Sequence, residues 1–219
     1  FPVLKNILNK ITGEDIYKSP TDMGVNSIGS CITNDEIVSN AAKLEIVRRY
    51  FNALTDSKLN GTDIEVANRI KLLMNEANID VNFIKERQIA LEKEKNENKR
   101  VIALTLPNGK TITGKETPLL SPASSLIINS IKELTKIDDE VYLLSPNVLE
   151  PILKMKSDSL NDKKFLNLNE VLIALSICSV TNPIVEKAIN NLSKLSNLNA
   201  HATYIVENED LRIFKKLKI

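Results

Sequence analysis

Three groups of residues in this chain have types and spacings that could do chemistry. The first is Gly109-Lys-Thr-Ile-Thr-Gly114-Lys115, which matches the phosphate-binding P-loop pattern at every position but the last. In a P-loop, backbone N–H groups cradle phosphates, the lysine meets the β and γ oxygens, and a following Ser or Thr binds magnesium. Here Glu116 stands in the hydroxyl position, where its charge would oppose a phosphate. The context also differs. Asn108-Gly109 is a hairpin turn signal, residues 110–113 alternate like a strand, and the next helix signal comes only at Pro122. An ordinary β-hairpin is therefore the expected structure, and no ATPase is inferred.

The second group is Ser121, Ser124, Ser125 and Asn129, in the first turns of a helix that follows Lys115. Helix N-termini have free N–H groups and partial positive charge, so they bind anions. Three hydroxyls and a nearby lysine suit a phosphate or a carboxylate. Against this, Ser121 is also what a helix N-cap requires, and the other serines suit a helix packed on a sheet.

The third is His201, the sole histidine, at the start of the last expected strand. A single imidazole can act as a general base or hold a ligand, or it can be a partly buried structural residue. It cannot recruit a metal alone, and no cysteine cluster accompanies it. Cys178 lies in an apolar helical run and reads as core; Cys31 lies in a loop. Neither has a basic neighbour in sequence that would activate a thiolate. No Gly-x-Ser-x-Gly, His-Glu-x-x-His or Ser-x-x-Lys pattern is present. No metal or other cofactor is expected.

Positioning these residues requires two regions of different period. Residues 2–11 read as a short amphipathic helix, and a Gly- and Pro-containing loop follows. Capping boxes at Thr33-Asn-Asp-Glu36 and Thr62-Asp-Ile-Glu65 open helices over 35–54 and 62–77. A third helix, over 82–98, ends in the run Glu92-Lys-Glu-Lys-Asn-Glu-Asn-Lys99, a mixed-charge segment that marks the expected domain boundary. From there the pattern changes to strands at 101–106 and 110–115, joined by Pro107-Asn108-Gly109. Ser121-Pro122, Ser145-Pro146, Asn167 or Asn169, and Asn182-Pro183 then cap successive helices, with short strands expected at 141–144 and 203–206 and a terminal helix capped by Asn208. The expected architecture is α/β (α+β): an N-terminal helical arm over residues 1–98, then residues 99–219 as a small mixed β-sheet with helices on its faces, a three-layer α/β/α sandwich.

Composition narrows the function. In 219 residues, 29 basic and 28 acidic side chains leave a net charge of +1, which offers no field for nucleic acid or an anionic membrane. Aromatics make up 4% and tryptophan is absent, so no base-stacking platform is expected either. The longest apolar run, 171–180, is about half of what a bilayer span needs. A reduced, soluble, cytoplasmic protein is the reading.

Several stretches together carry a family resemblance. They are Ser19-Pro-Thr-Asp-Met-Gly-Val-Asn26, Glu45-Ile-Val-Arg-Arg-Tyr-Phe51, Leu106-Pro-Asn-Gly-Lys-Thr-Ile-Thr-Gly-Lys115, Val171-Leu-Ile-Ala-Leu-Ser176, Ala200-His201 and Phe214-Lys-Lys-Leu-Lys-Ile219. In these the chain resembles the C-terminal part of the bacterial domain-of-unknown-function 1846 family. The resemblance implies a parent about twice as long, so that an N-terminal half is expected as a missing partner, and Phe1 in place of Met agrees with that. It implies no established activity. Many members have Thr where this chain has Glu116, and Gly where it has Ser121. The layout of the C-terminal part is similar to cytidine-deaminase-like sandwiches, without the deaminase zinc signature.

Two readings of function follow. One is a small-molecule or phosphate-binding α/β module, part of a larger enzyme. Lys115, Ser124, Ser125, Asn129 and His201 would line it, with Asp22, Asn26 and Arg48 contributing from the arm and an anionic small molecule as ligand. The other is a structural or assembly module without catalysis, in which the arm mediates contact within a homo-oligomer or with the missing half. The first expects a concave pocket or a bound anion near the start of the helix at Pro122; the second expects a large exposed apolar patch on the arm and no such pocket.

Overall fold

The structure is a computed structural model that describes residues 2–14, 34–159 and 165–219. It divides into two compact units, residues 1–84 and 85–219. In the first unit, α1 (Pro2–Thr12), α2 (Asp35–Asn60) and α3 (Glu65–Glu76) are helical, and Val81–Phe83 forms a single 3₁₀ turn. Asn34 caps α2, its side chain accepting from Ile37 N at 3.0 Å. The helix runs six residues past the expected end, because nothing breaks it before Gly61, whose φ of 62° provides the left-handed stop. At the next helix, Asp63 rather than Thr62 answers a free N–H, accepting from Glu65 N at 2.8 Å. Val47, Met74, Ile79 and Ile84 form the buried centre of this unit, with Leu44, Tyr50, Phe51 and Ile70 around them.

The second unit opens with α4 (Lys85–Glu97), followed by β1 (Val101–Thr105) and β2 (Thr111–Lys115). Then come α5 (Pro122–Thr135), α6 (Pro146–Asp158), α7 (Leu168–Ser179), α8 (Pro183–Ile189) and a 3₁₀ turn at Leu192–Leu195. β3 (Ala200–Ala202) and α9 (Asn208–Leu217) complete the unit. The hairpin is as expected. Leu106 N donates to Lys110 O and Gly109 N to Leu106 O, both at 2.9 Å, while Gly109 takes a φ of 82°.

The sheet has the order β2-β1-β3, and both pairings are antiparallel. The expected mixed sheet is thus reduced to an antiparallel one, with a single parallel bridge between Leu120 and Leu166 outside it. Residues 141–144 do not pair, although Leu143 and Leu144 are buried in the core. The last strand falls at Ala200–Ala202, three residues earlier than expected, and Thr203 closes it by N–H donation to Val101 O at 2.9 Å.

The alternation of β1 separates the layers. Ile102 and Leu104 join the main core with Leu126, Ile127 and Ile131 of α5 and Val171 and Leu175 of α7. Val101 and Ala103 point the other way and meet Ala90 of α4. The α/β/α arrangement is therefore present, but its outer layer is α4, which the charge run had assigned to the arm. Ala90 against Ala103 allows close approach without a broad apolar stripe, so the charged helix needs only one small contact residue to belong to the sheet. Gly114 does the same on the opposite face: a Cβ there would overlap Leu126 N and Pro122 O. No helix among the described residues is long and apolar enough to cross a membrane.

Candidate functional site

The start of α5 has the cap its sequence announces. Ser121 is extended at φ −64° and ψ 158°, its hydroxyl accepts from Ser124 N at 3.2 Å, and Pro122 follows. The anion position in front of this turn is already filled by the protein. Ser121 Oγ donates to Asp210 Oδ2 at 3.0 Å, and Leu168 N, at the start of α7, donates to Asp210 Oδ1 at 2.7 Å. Asp210 is 2% exposed. Burial raises its pKa above the ordinary carboxylate value, the Leu168 and Ser121 donors hold it back, and Glu207 and Glu209 add to the rise. Ser124 Oγ donates to Leu166 O at 3.1 Å, which ties α5 to the segment before α7.

The remaining expected site residues are dispersed, and the sheet divides them. Lys115 lies opposite Val101 and His201 opposite Ala103, so both project to the α4 face. There Lys115 Nζ pairs with Glu97 Oε2 at 2.6 Å. The pKa of His201 is lowered to about 4, first by burial and then by Arg87, so the imidazole is neutral at pH 7. Ser124 and Ser125 lie behind the opposite face; both are buried, and the Ser125 hydroxyl has no hydrogen-bond partner among the described residues. Asn129 donates from Nδ2 to Thr113 O at 2.9 Å, answering a carbonyl on β2. Arg48, in the first unit, is held by Glu45 at 2.7 and 2.9 Å, and Glu45 also takes Arg49 at 2.7 Å. Asp22, Asn26 and Cys31 lie outside the described residues. Thus the sheet separates Lys115 and His201 from Ser124 and Ser125.

A different cleft lies within the second unit, beside the entry to α5. It has a volume of about 750 Å³, and its lining includes Glu94, Lys99, Arg100, Glu116, Pro118 and Phe165. Arg100 is its organising residue. Nε donates to Glu116 Oε2 and Nη2 to Glu116 Oε1, both at 2.9 Å, in the two-pronged geometry that guanidinium and carboxylate favour. Nη1 stands 3.9 Å from Glu207 Oε1, and the guanidinium lies 5.1 Å above the Tyr204 ring. The Glu116 hydrogen bonds raise the Arg100 pKa more than burial lowers it. Tyr204 has a buried hydroxyl without a hydrogen-bond partner among the described residues, and burial and Asp210 both push its pKa up.

Arg100 was missed in the sequence, although a signal existed. Counting back from the Asn108-Gly109 turn pairs Val101 with Lys115, so Arg100 and Glu116 are the next cross-strand pair. The Glu116 N–H bond to Arg100 O at 3.0 Å continues that register. The residue that spoils the P-loop pattern is the partner of this arginine. Both glycines of the pattern likewise have structural duties, one in the turn and one against α5. Among the described residues, no group of three or more His, Cys, Asp or Glu is placed to hold a metal ion.

Comparison with known proteins agrees with the two-part organisation. Residues 83–219 match the family model described as domain of unknown function DUF1846, C-terminal, and residues 1–78 match the one described as DUF1846, N-terminal. The chain is 42% identical over 233 residues to a UPF0371 protein of Fusobacterium nucleatum. It is 42% identical over 229 residues to one of Clostridium tetani and 44% over 229 residues to one of Clostridium botulinum. Each alignment covers 100% of this chain and 46% of the relative, so the chain spans about half the length of the curated relatives it matches. The resemblance had been confined to the C-terminal part of the family, with the N-terminal half as a missing partner. The match of the N-terminal model to residues 1–78 overturns both points.

Proposed function

The chain belongs to the DUF1846 family, whose description assigns no activity, and from that premise we propose that residues 85–219 form a small-molecule-binding module with its site in the Arg100 cleft. The observation that carries this reading is the cleft itself. Its 750 Å³ lies within the range of small-molecule sites, and it combines apolar walls at Pro118 and Phe165 with converging charges. The binding reading expected a concave pocket or a bound anion near Pro122; this cleft reaches Thr117 and Pro118 nearby, but none of the described residues expected to line it does so. The N-terminus of α5 is not the binding element, because Asp210 already occupies it. His201 does not line this cleft, and the proposal is one of binding without an assigned reaction.

A reducing, cytoplasmic setting belongs to the same proposal. It is supported by Cys178, a buried free thiol whose sulfur accepts from Ser145 N at 3.4 Å as a packing atom.

A thermal-shift screen of small polar molecules against the whole chain tests the module. The expected result is a set of hits whose shift is lost in Phe165→Ala and in Lys99→Met, variants at the cleft wall. Hits that keep their shift in both variants would place the binding elsewhere and overturn the proposal.

A further inference from the structure

We infer that the ligand of the Arg100 cleft is a zwitterion: a molecule with a carboxylate and an ammonium group flanking an apolar side chain, as in an apolar amino acid or a dipeptide. This inference rests on the small-molecule-binding reading above and assigns the ligand class for the same site.

The charges of the cleft carry the argument. Among the described residues its ionisable lining is Glu94, Lys99, Arg100 and Glu116, carboxylates and cations together, with Glu207 3.9 Å from Arg100. With both signs present, a ligand that carries a carboxylate and an ammonium group can satisfy both, which a plain anion or a plain cation cannot. The charges are also unequally engaged. Arg100 and Glu116 are bonded to each other, while neither Lys99 nor Glu94 makes a side-chain hydrogen bond or an ion pair within 4 Å with any described residue. They are five residues apart, one in the last turn of α4 and one just beyond its end. Asn98, at a φ of 51°, turns the chain between them.

Each pole of such a ligand meets a matching group. Arg100 has five N–H donors and uses two on Glu116. Nη1, at 3.9 Å from Glu207, is beyond hydrogen-bond distance and can join Lys99 in holding a carboxylate. Glu94 can take the ammonium group, and the carbonyl end of α4, with its partial negative charge, reinforces it. Between the poles, Pro118 and Phe165 present the apolar wall against which a hydrocarbon or aromatic side chain loses water.

Calorimetric titration of the whole chain with five probes tests the assignment: L-phenylalanine, the dipeptide Ala-Phe, N-acetyl-L-phenylalanine, L-phenylalanine amide and inorganic phosphate. The expected result is that phenylalanine or the dipeptide binds, and whichever binds more tightly identifies the ligand size. Masking one charge should weaken binding about fivefold or more, the effect of one charged contact at a partly exposed site. Lys99→Met should abolish the advantage of phenylalanine over its amide, and Glu94→Gln its advantage over the N-acetyl compound. Both positions lie away from the core, so a circular-dichroism melt should match that of the parent chain. Equal or tighter binding of phosphate, of the N-acetyl compound or of the amide overturns the zwitterion and leaves the binding module standing. The absence of any heat from these probes, with thermal-shift hits still mapping to the cleft, does the same. The absence of hits of any kind overturns both.

Discussion

Ser121 and Asp210, 89 residues apart in sequence, meet at 3.0 Å behind the first turn of α5. The same carboxylate receives the Leu168 N–H at 2.7 Å, so one buried anion serves the starts of two helices and joins α9 to both. The start of α5 was weighed as an anion site against a plain helix cap; the protein places a carboxylate of its own there, from its C-terminal helix.

Replacing Asp210 should therefore weaken the second unit. Asp210→Ala leaves the Ser121 hydroxyl and the Leu168 N–H without their acceptor, at a cost of about 3 kcal/mol, and Asp210→Asn should cost less because one acceptor oxygen remains. Urea denaturation measures both. The raised pKa also fixes a sign. The folded state holds the Asp210 proton to higher pH than the unfolded chain does, so this group's contribution to stability falls as pH rises from 3.8 through the raised value. Asp210→Asn should remove that slope, and an alanine variant as stable as the parent would contradict the network.

His201 should produce a slope of the opposite sign. With a folded pKa of about 4 against an ordinary 6.5, the unfolded chain binds more protons between those values. Its contribution is complete above pH 6.5 and is lost as pH falls towards 4. Discounted for the part of the ring that meets solvent, the loss should be about 2 kcal/mol. Denaturation midpoints compared at pH 7 and pH 4.5 test this, and His201→Gln should flatten the difference.

The glycines of the near P-loop should behave as parts of a fold. Gly114→Ala forces a methyl into the α5 backbone and should cost about 3 kcal/mol or prevent folding. Gly109→Ala meets open space and should cost only about 1 kcal/mol, for its left-handed φ. Equal, small effects at both positions would contradict the close approach of α5 to β2.

The Arg100–Glu116 pair should be worth about 1 kcal/mol of coupling, since both side chains are about one-third exposed. A double-mutant cycle with Arg100→Gln and Glu116→Gln reads it directly. Zero coupling would mean that the two-pronged contact does not organise the cleft.

Much of this fold is legible in local sequence, where one residue type has one physical use. Asn108-Gly109 turns the hairpin, Ser121-Pro122 and Asn182-Pro183 start helices, and Asn167 with Glu170 forms a complete capping box. What was not legible depends on contacts between distant segments. The charge density of α4 hides that Ala90 is its sheet contact. The apolar residues at 143–144 suggest a strand but are buried in the core without pairing to the sheet. The expected site residues are divided for the same reason. Lys115 and Ser124 are near in sequence, yet the alternation of the sheet and the position of α5 put them on opposite faces. Only the Arg100–Glu116 pair could have been counted from the turn.

The central claim is that the Arg100 cleft binds a small molecule, and backbone ¹H–¹⁵N correlation spectra of the whole chain test it most directly. Titration with a hit from the thermal-shift screen should move the amides of Asn98, Lys99, Arg100, Glu116, Thr117 and Phe165, and leave those of Ser124, Ser125 and His201 in place. Perturbations centred on Ser124, Ser125 and His201, or scattered over the surface, would contradict the assignment.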